Sequence, residues 1–245
     1  MASALVQKLR YELALSLRWA ARLGLSEGID NHFSAVVTDE RFLINPLELH
    51  WSEIRPKDLV EVEMNTGEVL TPGGQVEITA MNIHRGIHMH KPNAKVVLHT
   101  HMPFATTLTC LLDGRIDMIH QNSLRFYNRI AYDDEYSGLA LALDEGIRMA
   151  KTLGEGKDIV MLGNHGTIVC GPTVGVAFDE LYFLERTSQL QVYALSSQKK
   201  LRIMSDEVVK MTAKQMQEEG PAQGELHFKA LGRILDKEDP NWQNK

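Results

Sequence analysis

Lys95-Val-Val-Leu-His-Thr-His101 is a short, β-branched run that ends in two histidines. In an extended strand successive side chains point to opposite faces, so Val97, His99 and His101 share one face and Val96, Leu98 and Thr100 the other. The two imidazoles would stand one two-residue repeat apart, roughly 6.5–7 Å between their Cβ atoms, and could reach a single cation from the same side. A metal site needs a third ligand. The leading candidate is His165, which Asn164-His165-Gly166 sets at the tip of a hairpin between two apolar runs. On spacing alone the pair also fits a strand end that carries polar groups. His84 and His88 form an i, i+4 pair on an expected helix, with no further ligand near them in sequence. His88-Met-His90 reads as the solvated end of that helix, just before Lys91-Pro92.

With 245 residues, 44% of them hydrophobic, the chain can bury a large core in one domain. Its net charge is −6 and no block of lysine or arginine interrupts the mixed charge pattern, which argues against a nucleic-acid partner. Cys110 and Cys170 have neither a metal-binding spacing nor a disulfide framework, which suits a reducing compartment. Charged residues interrupt Leu5 to Leu25, so no signal peptide is expected there, and no apolar run is long enough to span a membrane. The expectation is a cytoplasmic protein with a small-molecule substrate.

Leu5, Leu9, Leu13 and Leu17 recur every four residues and predict a helix to about Gly24. Phe33, Ala35 and Val37 alternate with His32, Ser34 and Val36, which predicts a strand followed by a second at Phe42 to Ile44. A hairpin is expected over Val60 to Met64 and Glu68 to Leu70, then a helix from Ile78 to His90 and the histidine strand. Pro103 stands where a first helical turn tolerates proline, so Phe104 to Leu112 should be helical. Ile116 to Gln121 is read as a strand and Leu139 to Leu153 as a helix with Ser137 as its N-cap. Two strands flank Gly163 to Gly166, and a long helix covers Val174 to Ser197. Ser205 to Glu219 and Glu225 to Leu235 read as two polar, peripheral helices parted at Gly220-Pro221. Residues 1–200 make one α/β domain; residues 201–245 are a tail of helices that packs on it or on a neighbouring subunit.

Several segments together resemble the class II aldolase/adducin head family. They are Pro92 to His101, Leu162-Gly-Asn-His-Gly166, Ala177-Phe178 and Phe183 to Gln191, over roughly residues 5 to 200. His32-Phe-Ser34, Ile44-Asn-Pro46, Trp51, Asp58-Leu59, Ala131-Tyr132 and Tyr136-Ser-Gly138 place the resemblance nearest the adducin-like branch. It implies a three-layer α/β/α domain around a largely antiparallel mixed β-sheet. It also implies a divalent metal on His99, His101 and His165, zinc in the first place, with manganese, cobalt or iron as alternatives. Three imidazoles with an open position suit a catalytic rather than a structural site. In the family the cation polarises substrate oxygens and stabilises an enolate-like intermediate.

The glutamate that the family's aldolases carry four residues before the histidine matching His84 is Ala80 here. Glu77, one turn earlier, is the alternative carboxylate, although a helix-start glutamate is commonly solvated. The aldolases' phosphate cradle is also poorly matched, since its regions read Asn31-His-Phe-Ser34, Asn45-Pro-Leu47 and Gly73-Gly74. A non-phosphorylated hydroxy or aromatic acid is therefore the expected substrate, with aldol cleavage or decarboxylation as the reaction. His32, Glu77 and Tyr132 are the candidate acid/base groups, and Asn31, Ser34 and Arg125 the candidate substrate-binding groups. The resemblance further implies a homo-oligomer, a tetramer, with active sites between subunits. Iron-dependent oxygenation and a noncatalytic module like the adducin head are the other activities this scaffold suggests.

Overall fold

Strand alternation decides which helix lies on which face of the sheet. The computed structural model describes residues 3–243. Its sheet is built from β1 (His32–Thr38), β2 (Arg41–Ile44), β3 (Val60–Glu63), β4 (Val96–Thr100), β5 (Ile130–Asp133), β6 (Ile159–Leu162) and β7 (Gly166–Gly171). Their spatial order is β3-β2-β1-β4-β7-β6-β5, antiparallel throughout except for the parallel β5–β6 pair. Six α-helices accompany them: α1 (Ala4–Arg22), α2 (Ile78–His90), α3 (Pro103–Thr109), α4 (Leu143–Leu153), α5 (Val174–Ser196) and α6 (Asp206–Glu238).

On one face Phe33, Ala35, Val96, Leu98 and Val169 meet Leu13 and Leu17 of α1 and Phe178, Leu181 and Leu184 of α5. On the other, Val97, Val160, Ile168 and Cys170 meet Ile83 and Ile87 of α2 and Met149 and Leu153 of α4. The strands from β4 on therefore feed two cores, and the domain is a mixed α/β sandwich with helices on both sides. His32, Ser34 and His99 occupy the positions that alternate with Phe33, Ala35 and Leu98, so they face α2.

Helix α2 can lie close because Gly86 and Gly146 bring it against α4 backbone to backbone. A Cβ on Gly86 would stand 2.3 Å from the carbonyl carbon of Gly146, and one on Gly146 would stand 2.1 Å from the carbonyl oxygen of Asn82. Asn82 Nδ2 adds a bond of 2.9 Å to the Ala140 carbonyl.

Several sequence expectations need correction. Residues 116–121 form no strand; the Asp117 N–H is taken by Gln191 Oε1 at 2.8 Å, outside any ladder. The strand in this region is β5, whose Tyr132 and Asp133 lack the apolar alternation that would have marked it. Helix α4 starts at Leu143 with Ala142 at its N-cap, because the Ser137 hydroxyl is engaged with Glu145 Oε1 at 2.9 Å. Helix α3 stops at Thr109, and of residues 68–70 only Val69 bridges, to Val62.

The two polar C-terminal helices are the single helix α6, which carries Pro221 in its interior. Proline removes the backbone bond to the Gln217 carbonyl, yet the helix runs on because tertiary packing holds both halves. Phe228 and Leu231 are buried in the core beside α5 and α1, and Trp19 Nε1 donates to the Leu231 carbonyl at 3.1 Å. Helix α6 is thus not peripheral.

Gly86→Ala should lower stability by roughly 1–3 kcal/mol or more, since the added methyl meets backbone that cannot rotate away. A drop in the urea midpoint relative to the parent, with the slope unchanged, is the expected result.

Candidate active site

Three elements converge where β4 ends. In the antiparallel β1–β4 pair His32 lies opposite His99, and in β4–β7 His99 lies opposite Ile168. The β6–β7 hairpin carries His165 in its turn, with Asn164 in the left-handed region (φ 55°) and the His165 N–H donating to the Leu162 carbonyl at 3.1 Å. Asparagine tolerates that conformation better than most residues, which suits the tight return. Gly166 is required by close approach: a Cβ there would stand 2.7 Å from His101 Cδ2 and 2.6 Å from the Thr100 carbonyl oxygen. Beyond His101, α3 is anchored by Glu185 of α5, whose carboxylate accepts from the Phe104 and Ala105 N–H groups at 2.9 and 2.8 Å. Burial pushes the Glu185 carboxyl up, and those two bonds oppose the push.

His99, His101 and His165 each offer a ring nitrogen, and the three nitrogens lie within 4.8 Å of one another. Their outer hydrogen bonds set the tautomers of two. His99 Nδ1 faces the Thr167 carbonyl at 3.0 Å and His101 Nδ1 faces Glu27 Oε2 at 2.7 Å. Both partners accept, so both Nδ1 atoms carry hydrogen, and in the neutral rings, the form that binds a cation, both Nε2 atoms are bare. These two bare Nε2 atoms stand 3.2 Å apart. Two lone pairs at that distance repel each other, whereas two nitrogens bound tetrahedrally to one zinc-sized cation would be separated by about 3.3 Å. The donor set therefore fits a divalent cation. Glu27 and the Thr167 carbonyl supply the outer support that metal-ligating histidines need.

Burial comes first in lowering the pKa values of His99 and His165, followed by neighbouring imidazoles: His32 first for His99, His101 for His165. His99 is held well below the usual histidine range and His165 is pushed down to about 4. Neutral imidazole is the form a cation requires.

The three nitrogens open into a cavity of about 440 Å³. Of the expected catalytic groups, His32 and Glu77 line it. The His32 ring stacks on His99 with centroids 4.7 Å apart. Glu77 caps α2, its Oε2 accepting from Ala80 N–H at 2.8 Å and from the Thr79 hydroxyl. Ala80 itself is packed with Phe42, Ile44 and Val60, so the carboxylate on this wall comes from Glu77.

The structure does not bring Tyr132 or Arg125 to the cavity. The Tyr132 hydroxyl accepts from the Ile116 N–H at 3.0 Å under the Arg115 guanidinium, and burial pushes its pKa up. The Arg125 guanidinium donates to Asp179 at 2.8 Å and lies over the Phe183 ring. Asn31 and Ser34 stand behind the cavity wall. Asn31 Oδ1 accepts from the Glu27 N–H at 2.8 Å and the His101 N–H at 3.3 Å, which ties the outer carboxylate to its histidine. Ser34 bonds to His84 and to His88 at 2.7 Å. His88 is therefore no solvated helix end: it is buried, with Nδ1 2.8 Å from the Ala94 carbonyl.

Sequence reasoning missed Glu27, Tyr136 and the inward face of α2. The i, i+4 spacing of His84 and His88, set beside His32-Phe-Ser34, was the available signal for that face.

Residues 11–192 match the Class II Aldolase and Adducin N-terminal domain family. The chain belongs to that family. A solved aldolase II superfamily protein from Pseudomonas syringae superposes with a TM-score of 0.90 at 31% identity, covering 99% of this chain and 98% of that one. The decarboxylase NovR of Streptomyces niveus is 29% identical over 85% of this chain and 77% of its own length. A 4-hydroxy-3-prenylphenylpyruvate oxygenase/4-hydroxy-3-prenylbenzoate synthase of Streptomyces roseochromogenus subsp. oscitans is 30% identical over 76% of this chain and 68% of its own length. Class II aldolases are generally dependent on a divalent metal, which agrees with the three-histidine cluster.

Glu27→Gln should weaken metal binding about 10- to 100-fold without unfolding the domain, as measured by competition with a chelator. A pH effect follows from His88, whose pKa burial lowers from 6.5 to about 4. As pH falls from 6.5 toward 4 the unfolded chain takes up a proton that the folded chain refuses, so stability is full above 6.5 and is lost through this window. The loss is on the order of 3 kcal/mol, and denaturant midpoints of His88→Gln should fall less steeply over the same range.

Proposed function

We propose that the protein is a divalent-metal-dependent carbon–carbon lyase, of aldolase or decarboxylase type, acting on a small non-phosphorylated hydroxy or aromatic acid. The observation that carries this reading is the set of three converging ring nitrogens, opening on a cavity whose wall holds His32 and Glu77. A cation held by His99, His101 and His165, with zinc the first choice, supplies Lewis-acid polarisation of a substrate carboxylate, carbonyl or hydroxyl oxygen. Ile83, Leu139 and Ala140 give the cavity an apolar wall for an alkyl or aryl portion. Among the described residues that line it there is no lysine or arginine, so apart from the cation a phosphate dianion would find no ion pair there.

Cleavage leaves the electron pair of the broken C–C bond on the retained carbon: in decarboxylation the carboxylate departs as carbon dioxide, and in aldol cleavage the hydroxyl gives its proton to a base as its carbon departs as an aldehyde. That carbon must then gain a proton. Glu77 stands at the wall to exchange it; both of its capping bonds use Oε2, which leaves Oε1 for the substrate. His32 serves as the second polar contact beside the ligands. Asn31 and Ser34 act through Glu27, His101 and the α2 histidines rather than by touching substrate. Tyr136 and Leu139, exposed at the rim, suit coverage by a second subunit, in a homo-oligomer with sites between protomers. No described helix is long and apolar enough to cross a membrane, and a cytoplasmic location is part of the same reading.

Protein purified without added metal should contain close to one divalent ion per chain by elemental analysis. His99→Ala and His165→Ala should each lose it. Unchanged metal content in both variants would falsify the site. A screen of hydroxy acids and aromatic carboxylates, followed for released carbon dioxide or aldehyde, should find a substrate. Iron with substrate-dependent oxygen uptake would instead favour the oxygenase chemistry named for the S. roseochromogenus relative. No stoichiometric metal would favour a noncatalytic module.

A further inference from the structure

Behind the cavity a row of buried polar side chains runs from His32 through His84 and Ser34 to His88 and ends on the backbone. His32, Ser34, His84 and His88 are 3%, 0%, 0% and 6% exposed, so solvent does not compete for their hydrogen bonds. The row has one fixed end, the Ala94 carbonyl, which can only accept.

From that end each hydrogen is assigned in turn. His88 Nδ1, 2.8 Å from the Ala94 carbonyl, must carry hydrogen, so its Nε2 is a bare acceptor. The Ser34 hydroxyl, 2.7 Å from that Nε2, must donate to it, which uses its one hydrogen. His84 Nδ1 must therefore donate to Ser34 Oγ, which leaves His84 Nε2 bare. His32 Nδ1, 2.8 Å from His84 Nε2, must donate in its turn. Running the row in the opposite sense would set a bare His88 Nδ1 against a carbonyl oxygen, two acceptors in contact in a buried place. None of the four side chains has a hydrogen bond to a carboxylate among the described residues, so nothing there compensates an imidazolium.

We propose that His84, Ser34 and His88 are positioning residues that lock His32 in the Nδ1–H tautomer, so that it presents to the cavity a bare Nε2 which accepts a hydrogen bond and cannot donate one. His32 lines the cavity and its Nδ1 is committed to His84, so Nε2 is the ring nitrogen left for a ligand. Beside His99, against which its ring is stacked, such an acceptor rewards an O–H group and repels a bare oxygen. The substrate class narrows to a hydroxyl-bearing acid, an α-hydroxy acid or a phenolic acid, in preference to the corresponding keto acid. This selectivity rests on the function proposed above. The tautomer does not.

Long-range ¹H–¹⁵N correlation spectra of ¹⁵N-histidine protein, metal-free and zinc-loaded, read the tautomer directly. His32 should show a protonated Nδ1 and an unprotonated Nε2 in both forms, and Ser34→Ala should convert it to a mixture of tautomers. Ser34→Thr, which keeps the hydroxyl, should restore the parent pattern. A parent His32 protonated on Nε2, or a Ser34→Ala spectrum with His32 unchanged, overturns the proposal whatever the enzyme does.

With mandelate and benzoylformate as a hydroxy/keto pair of probes, zinc-loaded parent should bind mandelate at least about tenfold more tightly, a gap worth about 1.4 kcal/mol. Ser34→Ala should bring the ratio toward one. Equal affinities in the parent would remove the selectivity while leaving the tautomer assignment to the spectra. If instead the purified chain holds no metal and releases neither carbon dioxide nor aldehyde, the lyase reading falls and the spectra still decide the tautomer.

Discussion

Two Nε2 lone pairs held 3.2 Å apart are the constraint around which the domain is arranged. Left to themselves, His99 and His101 would turn one ring to donate to the other. The Thr167 carbonyl and the Glu27 carboxylate prevent this by taking both Nδ1 hydrogens. Those acceptors come from different parts of the chain, one from the neighbouring strand and one from the loop before β1. Asn31 ties that loop to the backbone of His101. In their neutral forms the two rings thus turn their acceptors toward one point, which suits a preorganised cation site.

The same logic of acceptors extends inward. A carbonyl can only accept, so one at the edge of the site and one behind α2 orient the imidazoles between them, without a carboxylate inside the core. Closeness makes this feasible. On the face that α2 shares with α4 the Gly86–Gly146 contact packs the two helices backbone to backbone, and from α2 His84 reaches both His32 and Ser34. Larger residues at that crossing would force α2 and α4 apart.

Buried charge is kept elsewhere. Arg125 with Asp179, and Arg129 with Glu180 and Asp158, join the Gln121–Asp133 region to α5 and to the start of β6. His227 adds a contact from α6 to Asp179. A buried guanidinium with a buried partner is costly to separate, so the Arg125–Asp179 pair holds its segment to α5.

Much of the architecture was legible in the sequence because it rests on local periodicity. The two-residue alternation of β1, β4 and β7 was written in Phe33, Ala35, Val96, Leu98 and Val169, and with it the shared face of His99 and His101. The turn before Gly166 was equally legible and placed His165. Four-residue spacing marked α1. What the sequence could not decide depends on contacts between distant segments. Short β5 is a strand because β6 offers it a partner, and α6 runs through Pro221 because α1 and α5 hold it. Glu77 is on the cavity wall and Arg125 is not, a difference that residue type does not carry. His88 looked solvated on its helix and is buried because β1 and the Ala94 carbonyl meet it there. Local chemistry pointed to the candidate ligands; which nitrogens stay bare is a property of the folded neighbours, since only they supply the acceptors that fix each tautomer.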